Sequence, residues 1–211
     1  MMPTRRHFLM LLAALPLLPA CARKTKLAAV SAGATVLAFG DSVTYGTGAA
    51  PGEDWPTLLA ATSGWRIVNA GVPGGTAQNG RERIGPLLET HRPALVIVEI
   101  GGNDFLKRRA QPAVKEDVRS IVRAARASGA QVVLVAVPEL SLLGALTRRP
   151  DDAALYGELG KEEKVPVVAE VFSGVLAQPE LRADQIHPNA AGYRRMAEGI
   201  AAALRDAGAL R

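Results

Sequence analysis

The sequence predicts an α/β protein built on a single sheet of five parallel strands with helices on both faces. Short apolar runs alternate with longer amphipathic stretches along the chain, which is the βα rhythm of such a sheet. The runs are rich in Val, Ile, Leu and Ala with little polar alternation, as strands covered on both faces must be. A chain of 211 residues, 48% of them hydrophobic, can bury one sizeable core and needs no second domain.

The first strand is expected over Thr35–Phe39 and runs into Gly40-Asp41-Ser42. Trp55–Thr62 has helix-forming composition, and Trp65–Asn69 is the second strand, followed by Gly71-Val72-Pro73-Gly74-Gly75-Thr76. A helix over Gln78–Thr90 leads to the third strand, Ala94–Ile100, which ends at Gly101-Gly102-Asn103-Asp104. Val114–Ala127 is the next helix and Ala130–Val137 the fourth strand, followed by the apolar stretch from Pro138 to Leu146. A helix over Asp151–Glu163 precedes the fifth strand, Val165–Val171; Asp184-Gln185-Ile186-His187 comes next, and Pro188–Ala207 closes the chain as a long amphipathic helix. In a parallel sheet the loops after the strands share one edge, where ligands bind. Four polar or Gly-rich motifs are therefore expected at that edge.

The N-terminus is predicted to be an address. Residues 1–20 have a basic start, an apolar run from Phe8 to Leu18 and small residues before Cys21; the run is too short for a membrane span, and Pro16 interrupts it. Thr4-Arg5-Arg6-His7-Phe8-Leu9 resembles a twin-arginine export signal, and Leu18-Pro19-Ala20-Cys21 resembles a bacterial lipobox, in which the Cys is lipidated. The expected organisation is a signal peptide over 1–20, a tether of small and basic residues over 21–33, and one domain over 34–211. The protein is expected to be exported, anchored to a membrane through Cys21, and to face the periplasm or cell exterior. Cys21 is the only cysteine, so no internal disulfide is possible. The formal charge of +5 falls to about +3 once Arg5 and Arg6 leave with the signal, and basic residues are interspersed with acidic ones, so no nucleic-acid partner is expected.

A small hydroxyl at the end of a buried strand suits a nucleophile, and Ser42 is the candidate. Of the three histidines, His7 lies in the signal and His91 falls between a helix and the following strand, at the opposite edge of the sheet, leaving His187 as the base. Asp184, three residues earlier, can hold the far ring nitrogen and stabilise the imidazolium. Donors for a developing oxyanion are expected from the backbone N–H of Ser42, from the Gly-rich loop at Gly74, with Gly71 as a close alternative, and from the neutral side-chain amide of Asn103. Glu99, inside an apolar strand, is read as a hydrogen-bonded structural residue. The Gly71–Gly75 loop lacks the Lys-Ser/Thr of a phosphate-binding loop, and no clustered Cys, His or paired carboxylates suggest a metal. Phe105, Leu142 and Leu143 are candidate apolar contacts for substrate.

Taken together, Gly40-Asp41-Ser42-Val43, Gly74, Gly101-Gly102-Asn103-Asp104 and Asp184 with His187 resemble, in order, the blocks of the SGNH hydrolases, also called the GDSL esterases and lipases. Val43 replaces the Leu of the family name. "GDSVTYGTG", "VEIGGNDFLK" and "HPNAAGY" are similar to the bacterial arylesterase, thioesterase I and lysophospholipase L1 branch. The resemblance implies a flavodoxin-like three-layer α/β/α sandwich and a serine esterase that cleaves aryl esters, acyl thioesters or lysophospholipids through an acyl-enzyme, with no cofactor and as a monomer. A carbohydrate or cell-wall O-acetylesterase is the alternative substrate reading. A surface lipoprotein that binds acyl or glycan ligands without turnover is the non-enzymatic one.

Overall fold

The computed structural model describes residues 25–139 and 150–211. The expected signal peptide, Cys21, Leu142 and Leu143 lie outside these residues. The strands are β1 (Thr35–Gly40), β2 (Arg66–Gly71), β3 (Leu95–Glu99), β4 (Gln131–Val135) and β5 (Val167–Val168). They form one parallel sheet in the order β2-β1-β3-β4-β5, as expected for a flavodoxin-like fold. The helices are α1 (Ser42–Tyr45), α2 (Trp55–Ser63), α3 (Ala77–His91), α4 (Gly102–Leu106), α5 (Gln111–Ala127), α6 (Ala154–Glu162), α7 (Val171–Leu176) and α8 (Ala190–Ala207). Packing of α3 on α5 and of α5 on α6 makes one helical layer, and packing of α2 and α7 on α8 makes the other. Between them β3 is buried along its whole length, and β1 is buried everywhere but its first residue.

Element ends follow local chemistry. Asp54 caps α2 by accepting from Thr57 N at 2.9 Å, and Asn189 caps α8 by accepting from Gly192 N at 3.0 Å, so α8 starts at Ala190 rather than at Pro188. The fifth strand is shorter than the expected Val165–Val171. Pro166 has no N–H for the ladder, and Glu170 turns the chain through a left-handed conformation (φ 61°) into α7. Residues 151–153, expected as the start of a helix, instead pair across to the end of β4: Glu139 N donates to Asp151 O at 3.0 Å and Ala153 N to Val137 O at 3.0 Å. The short helices α1, α4 and α7 span too few residues for an apolar period to register.

The expected tether over 21–33 is docked in its described part. Leu27 N donates to Ala207 O and Val30 N to Ala209 O, both at 2.8 Å, while Ala28 exchanges two bonds with the Gln131 side chain. Leu27 and Val30 also pack against the core. These contacts fall where β4 begins and α8 ends, the edge opposite the strand carboxyl ends.

At that carboxyl edge Gly40 is a close-approach position. A Cβ there would lie 2.0 Å from Thr44 Oγ1 and 2.2 Å from Glu99 O. Gly40→Ala is expected to cost about 3 kcal/mol by overpacking. Gly157→Ala, in α6 with open space around the added methyl, is expected to gain about 0.5–1 kcal/mol. Denaturant melts of both variants check the contrast, and equal effects would contradict the packing described here.

Candidate active site

The chain leaves β1 at Gly40 and turns at once into α1, with Asp41 as its cap: the carboxylate accepts from Val43 N at 3.1 Å. Ser42 is thereby the first residue of a helical turn at the rim of the sheet. Its Oγ lies 3.0 Å from His187 Nε2, and His187 Nδ1 lies 2.8 Å from Asp184 Oδ2. The other Asp184 oxygen accepts the backbone N–H groups of Ile186 and His187, each at 2.8 Å, so one carboxylate both closes the loop and orients the ring. An ionised carboxylate can only accept, which puts the imidazole proton on Nδ1 and leaves Nε2 as an acceptor facing Ser42. The base of this loop is fixed by Ala183 N donating to His187 O at 2.9 Å, and Tyr193 OH of α8 donates to Thr47 O at 2.7 Å just beyond α1. His91 ends α3, at the edge where the strands begin.

The carboxyl groups around Ser42 differ in their surroundings. Partial burial raises the Asp184 carboxyl, but the His187 ring and the two backbone N–H groups outweigh it and hold the group below its ordinary value. Asp41 is buried, and desolvation pushes it up to about 6 despite the opposing Val43 N–H and the nearby His187. Glu99, wholly buried, is raised well above the ordinary range by desolvation and by Asp41 beside it. Its Oε2 accepts from Thr44 Oγ1 at 2.7 Å, and its Oε1 has no partner among the described residues.

Asn103 sits in α4, and its Nδ2 donates to Gly75 O at 3.0 Å and to Asp41 Oδ2 at 3.3 Å. The Ser42 and Gly74 N–H groups have no acceptor among the described residues. Gly74 holds φ at 76°, a left-handed conformation open to glycine, and a Cβ there would meet nothing within 4 Å. Gly71, the alternative donor, is already committed: its N–H donates to Asn69 Oδ1 at 3.0 Å. Asp104, buried beside Asn103, accepts Ala77 N at 2.7 Å and pairs with Arg109, tying the start of α3 to α4. Among the described residues no group of three His, Cys, Asp or Glu side chains is disposed as metal ligands would be.

Phe105 is not a wall of the cleft. It is 7% exposed and belongs to the core, because the single turn of α4 directs Asp104 and Phe105 inward and leaves Asn103 and Leu106, three residues apart, on the open side. The cleft beside Ser42 and His187 is walled by Leu106, Val137, Phe172 and Ile186 instead. Sequence reasoning missed these four. Only Leu106 and Ile186 carried a local signal, one at helical spacing from Asn103 and the other next to His187.

A folded-state carboxyl raised to about 6 favours the fold below pH 3.8 and loses that contribution as pH rises through 6. Asp41→Asn removes the buried charge, so its Tm relative to the parent is expected to rise between pH 4 and 7 and then level off. Parallel melting curves for the two proteins across that range would refute the burial effect.

Residues 38–195 match the model of the GDSL-like lipase/acylhydrolase family. Esterase TesA of Pseudomonas aeruginosa is 33% identical over 195 residues, covering 87% of this chain and 94% of the relative. Thioesterase 1/protease 1/lysophospholipase L1 of Escherichia coli K12 is 32% identical over 178 residues, covering 81% and 83%. The crystal structure of TesA superposes with a TM-score of 0.71 at 31% identity, covering 82% of this chain and 99% of that one. With the family model spanning most of the chain and the parallel fold shared, this chain belongs to the GDSL-like lipase/acylhydrolase family.

Proposed function

We propose that this enzyme, an ester hydrolase by family, works through Ser42 as nucleophile, His187 as general acid and base, and Asp184 as the group that orients His187. The observation that carries the reading is the unbroken row of contacts from Ser42 Oγ to His187 at 3.0 Å and from His187 to Asp184 at 2.8 Å. His187 Nε2 takes the Ser42 proton as Oγ attacks the substrate carbonyl carbon. The negative charge that forms on the carbonyl oxygen is met by N–H donors from Ser42, Gly74 and Asn103. For this, the Asn103 amide gives up its longer bond, to Asp41 Oδ2. The tetrahedral species collapses, His187 returns the proton to the departing oxygen or sulfur, and the acyl group stays on Ser42 Oγ. Water then enters, loses a proton to Nε2, attacks the acyl carbon, and Ser42 recovers its proton. Carboxylic esters and thioesters fit this sequence equally, and none of its steps requires a cofactor.

His187 lies close enough to Asp184 and Asp41 to favour the charged form of both carboxyls. Asp41 therefore caps α1 and also interacts electrostatically with the proposed base.

The reading of Cys21 as a lipid attachment site extends to orientation. The chain is docked from Lys26 onward on the edge opposite Ser42, so only residues 22–25 separate the anchor from the body. The anchored edge then faces the membrane and the cleft faces away from it. No described helix is long and apolar enough to cross a membrane.

A fluorophosphonate probe is expected to label Ser42 alone, and Ser42→Ala to abolish both labelling and turnover. His187→Ala should lower kcat by about 10⁴ and remove the rise in rate near neutral pH. Asn103→Ala should lower kcat by about 10²–10³ with KM little changed and the pH profile kept. His91→Ala should leave catalysis unaltered. Steady-state kinetics across pH decides, and a folded His91→Ala protein as impaired as His187→Ala would sink the assignment. For the anchor, Cys21→Ser is expected to move the protein from the membrane fraction to the soluble one. A parent protein already soluble, or with a mature N-terminus other than Cys21, would refute it.

A further inference from the structure

Basic and acidic residues are interspersed along the chain, but the fold sorts them. Of the 25 basic residues six lie outside the described ones, leaving 19 against 20 acidic, so the described body as a whole is close to neutral. The edge opposite Ser42 is not. Strands begin there and helices end, and it carries Lys26 in the docked segment, Arg66 at the start of β2, Arg92 after α3, Arg126 in the last turn of α5, Lys164 after α6 and Arg205 in the last turn of α8, all exposed. None of these takes part in an ion pair among the described residues. Where they bond, the acceptor is neutral: Lys26 Nζ donates to Asp206 O at 2.6 Å, Arg126 to Glu163 O at 2.9 Å, and Arg66 to Thr35 Oγ1. Acids at this edge offset them only in part. Glu162 and Glu163 are engaged by Lys115, Arg119 and Arg123, which leaves Glu89 and Asp206.

A helix C-terminus attracts cations, and that accounts for Arg126 and Arg205. It does not account for Lys26 and Arg66, which lie in a loop and a strand. Arg92 and Lys164 hold φ at 41° and 54°, the left-handed conformation that glycine takes at the ends of α2 and α8 with Gly64 and Gly208. At two helix ends the sequence thus keeps a cation where glycine would sit without strain.

We propose that this edge is a docking face for the anionic phospholipid headgroups of a membrane. The inference rests on the reading of Cys21 as a lipid attachment site and names what the anchored edge meets. The five steps from Cys21 to Lys26 reach at most about 18 Å, within about two Debye lengths at physiological salt. Arg23 and Lys24 add two cations in between. Each Lys or Arg near an anionic bilayer raises partitioning about 5-fold, so cations spread from β2 to β5 favour one orientation of the body over the swivelling that a lipid tail alone permits. That orientation lays the basic edge on the headgroups and turns the cleft outward.

The test is flotation of the mature chain carrying Cys21→Ser, and so no lipid, with vesicles of phosphatidylcholine plus phosphatidylglycerol and with vesicles of phosphatidylcholine alone. At low salt it is expected to bind the first and not the second, and to be released by salt, so that a salt-washed Cys21→Ser protein still appears in the soluble fraction. Arg92→Gly with Lys164→Gly removes two cations while placing glycine at left-handed positions, so Tm should hold or rise and turnover of a soluble ester should be unchanged. Partitioning to the anionic vesicles should fall about 25-fold. Binding to neither vesicle, equal binding to both, or a double variant that partitions like its parent would overturn the docking face and leave the anchor standing. A parent protein without lipid on Cys21 whose mature chain still binds only the anionic vesicles would overturn the anchor and support the face.

Discussion

Hydrogen-bond register in the parallel sheet is the constraint on which the site depends. Gly40 is level with Gly71 on one side and with Glu99 on the other, so three strands end at the same height. Whatever follows each strand must then share a small volume. Ser42 follows β1, the Gly74 loop follows β2, and Asn103 follows β3. The order β2-β1-β3 places the exit of β1 between the other two, at the point where successive connections pass to opposite faces of the sheet, and a cleft opens there. A slip of one residue in either pairing would raise one motif out of reach of the others and turn buried Val and Ile side chains to the wrong face. The apolar core and the site are thus specified by the same ladder.

Electrostatics around Ser42 show how burial divides like groups among different tasks. Asp184 is more than half exposed and receives three hydrogen bonds, so it stays ionised and orients His187. Asp41 is buried, yet its carboxylate has N–H donors from Val43 and Asn103 and a basic ring nearby, which offset part of the desolvation cost. Glu99 has only the Thr44 hydroxyl on one oxygen and Asp41 as a neighbour, and both burial and that neighbour favour its neutral form. Two buried carboxyls near the nucleophile can coexist because the second need not be charged.

The sheet, its five strands and the row of residues at its carboxyl edge were legible in the sequence because each depends on local composition. A buried parallel strand needs an unbroken apolar run, and a strand that ends in Gly followed by polar residues announces its rim. Ser42, His187 and Asp184 could be related by elimination, since so few histidines are present. What was not legible depended on side-chain direction within a single turn. Phe105 looked like a contact for substrate because it lies near Asn103 and is aromatic, but the five residues of α4 carry no period, and packing turned it inward while Leu106 took the open position. The walls supplied by Val137 and Phe172 come from elements distant in sequence, and only the crossing of layers brings them to Ser42. The segment read as a tether also depended on tertiary context. Leu27 and Val30 look unremarkable until the end of α8 and the start of β4 offer their backbone a partner.

The pair Asn103 and Asp104 ties together loops from which the proposed oxyanion donors come. An oxyanion site fails when its donors move independently, because each must already point at the place where charge will form. Here the β2 loop is tied to α4 twice. Asn103 Nδ2 holds Gly75 O, and Asp104 holds Ala77 N, on either side of Thr76. Thr76 itself closes a capping box with Asn79, fixing the first turn of α3. The loop carrying Gly74 is therefore clamped at its α3 end by two adjacent residues of one short helix, while Gly71 is held at the other end by Asn69. Asp104 is itself secured by Arg109, which also pairs with Asp117, so the clamp reaches into α5. Gly74 can keep an unengaged N–H and an open left-handed backbone because the residues around it absorb the constraint. In the proposed mechanism the Asn103 amide keeps its bond to Gly75 O and exchanges the longer one, to Asp41 Oδ2, for the oxyanion.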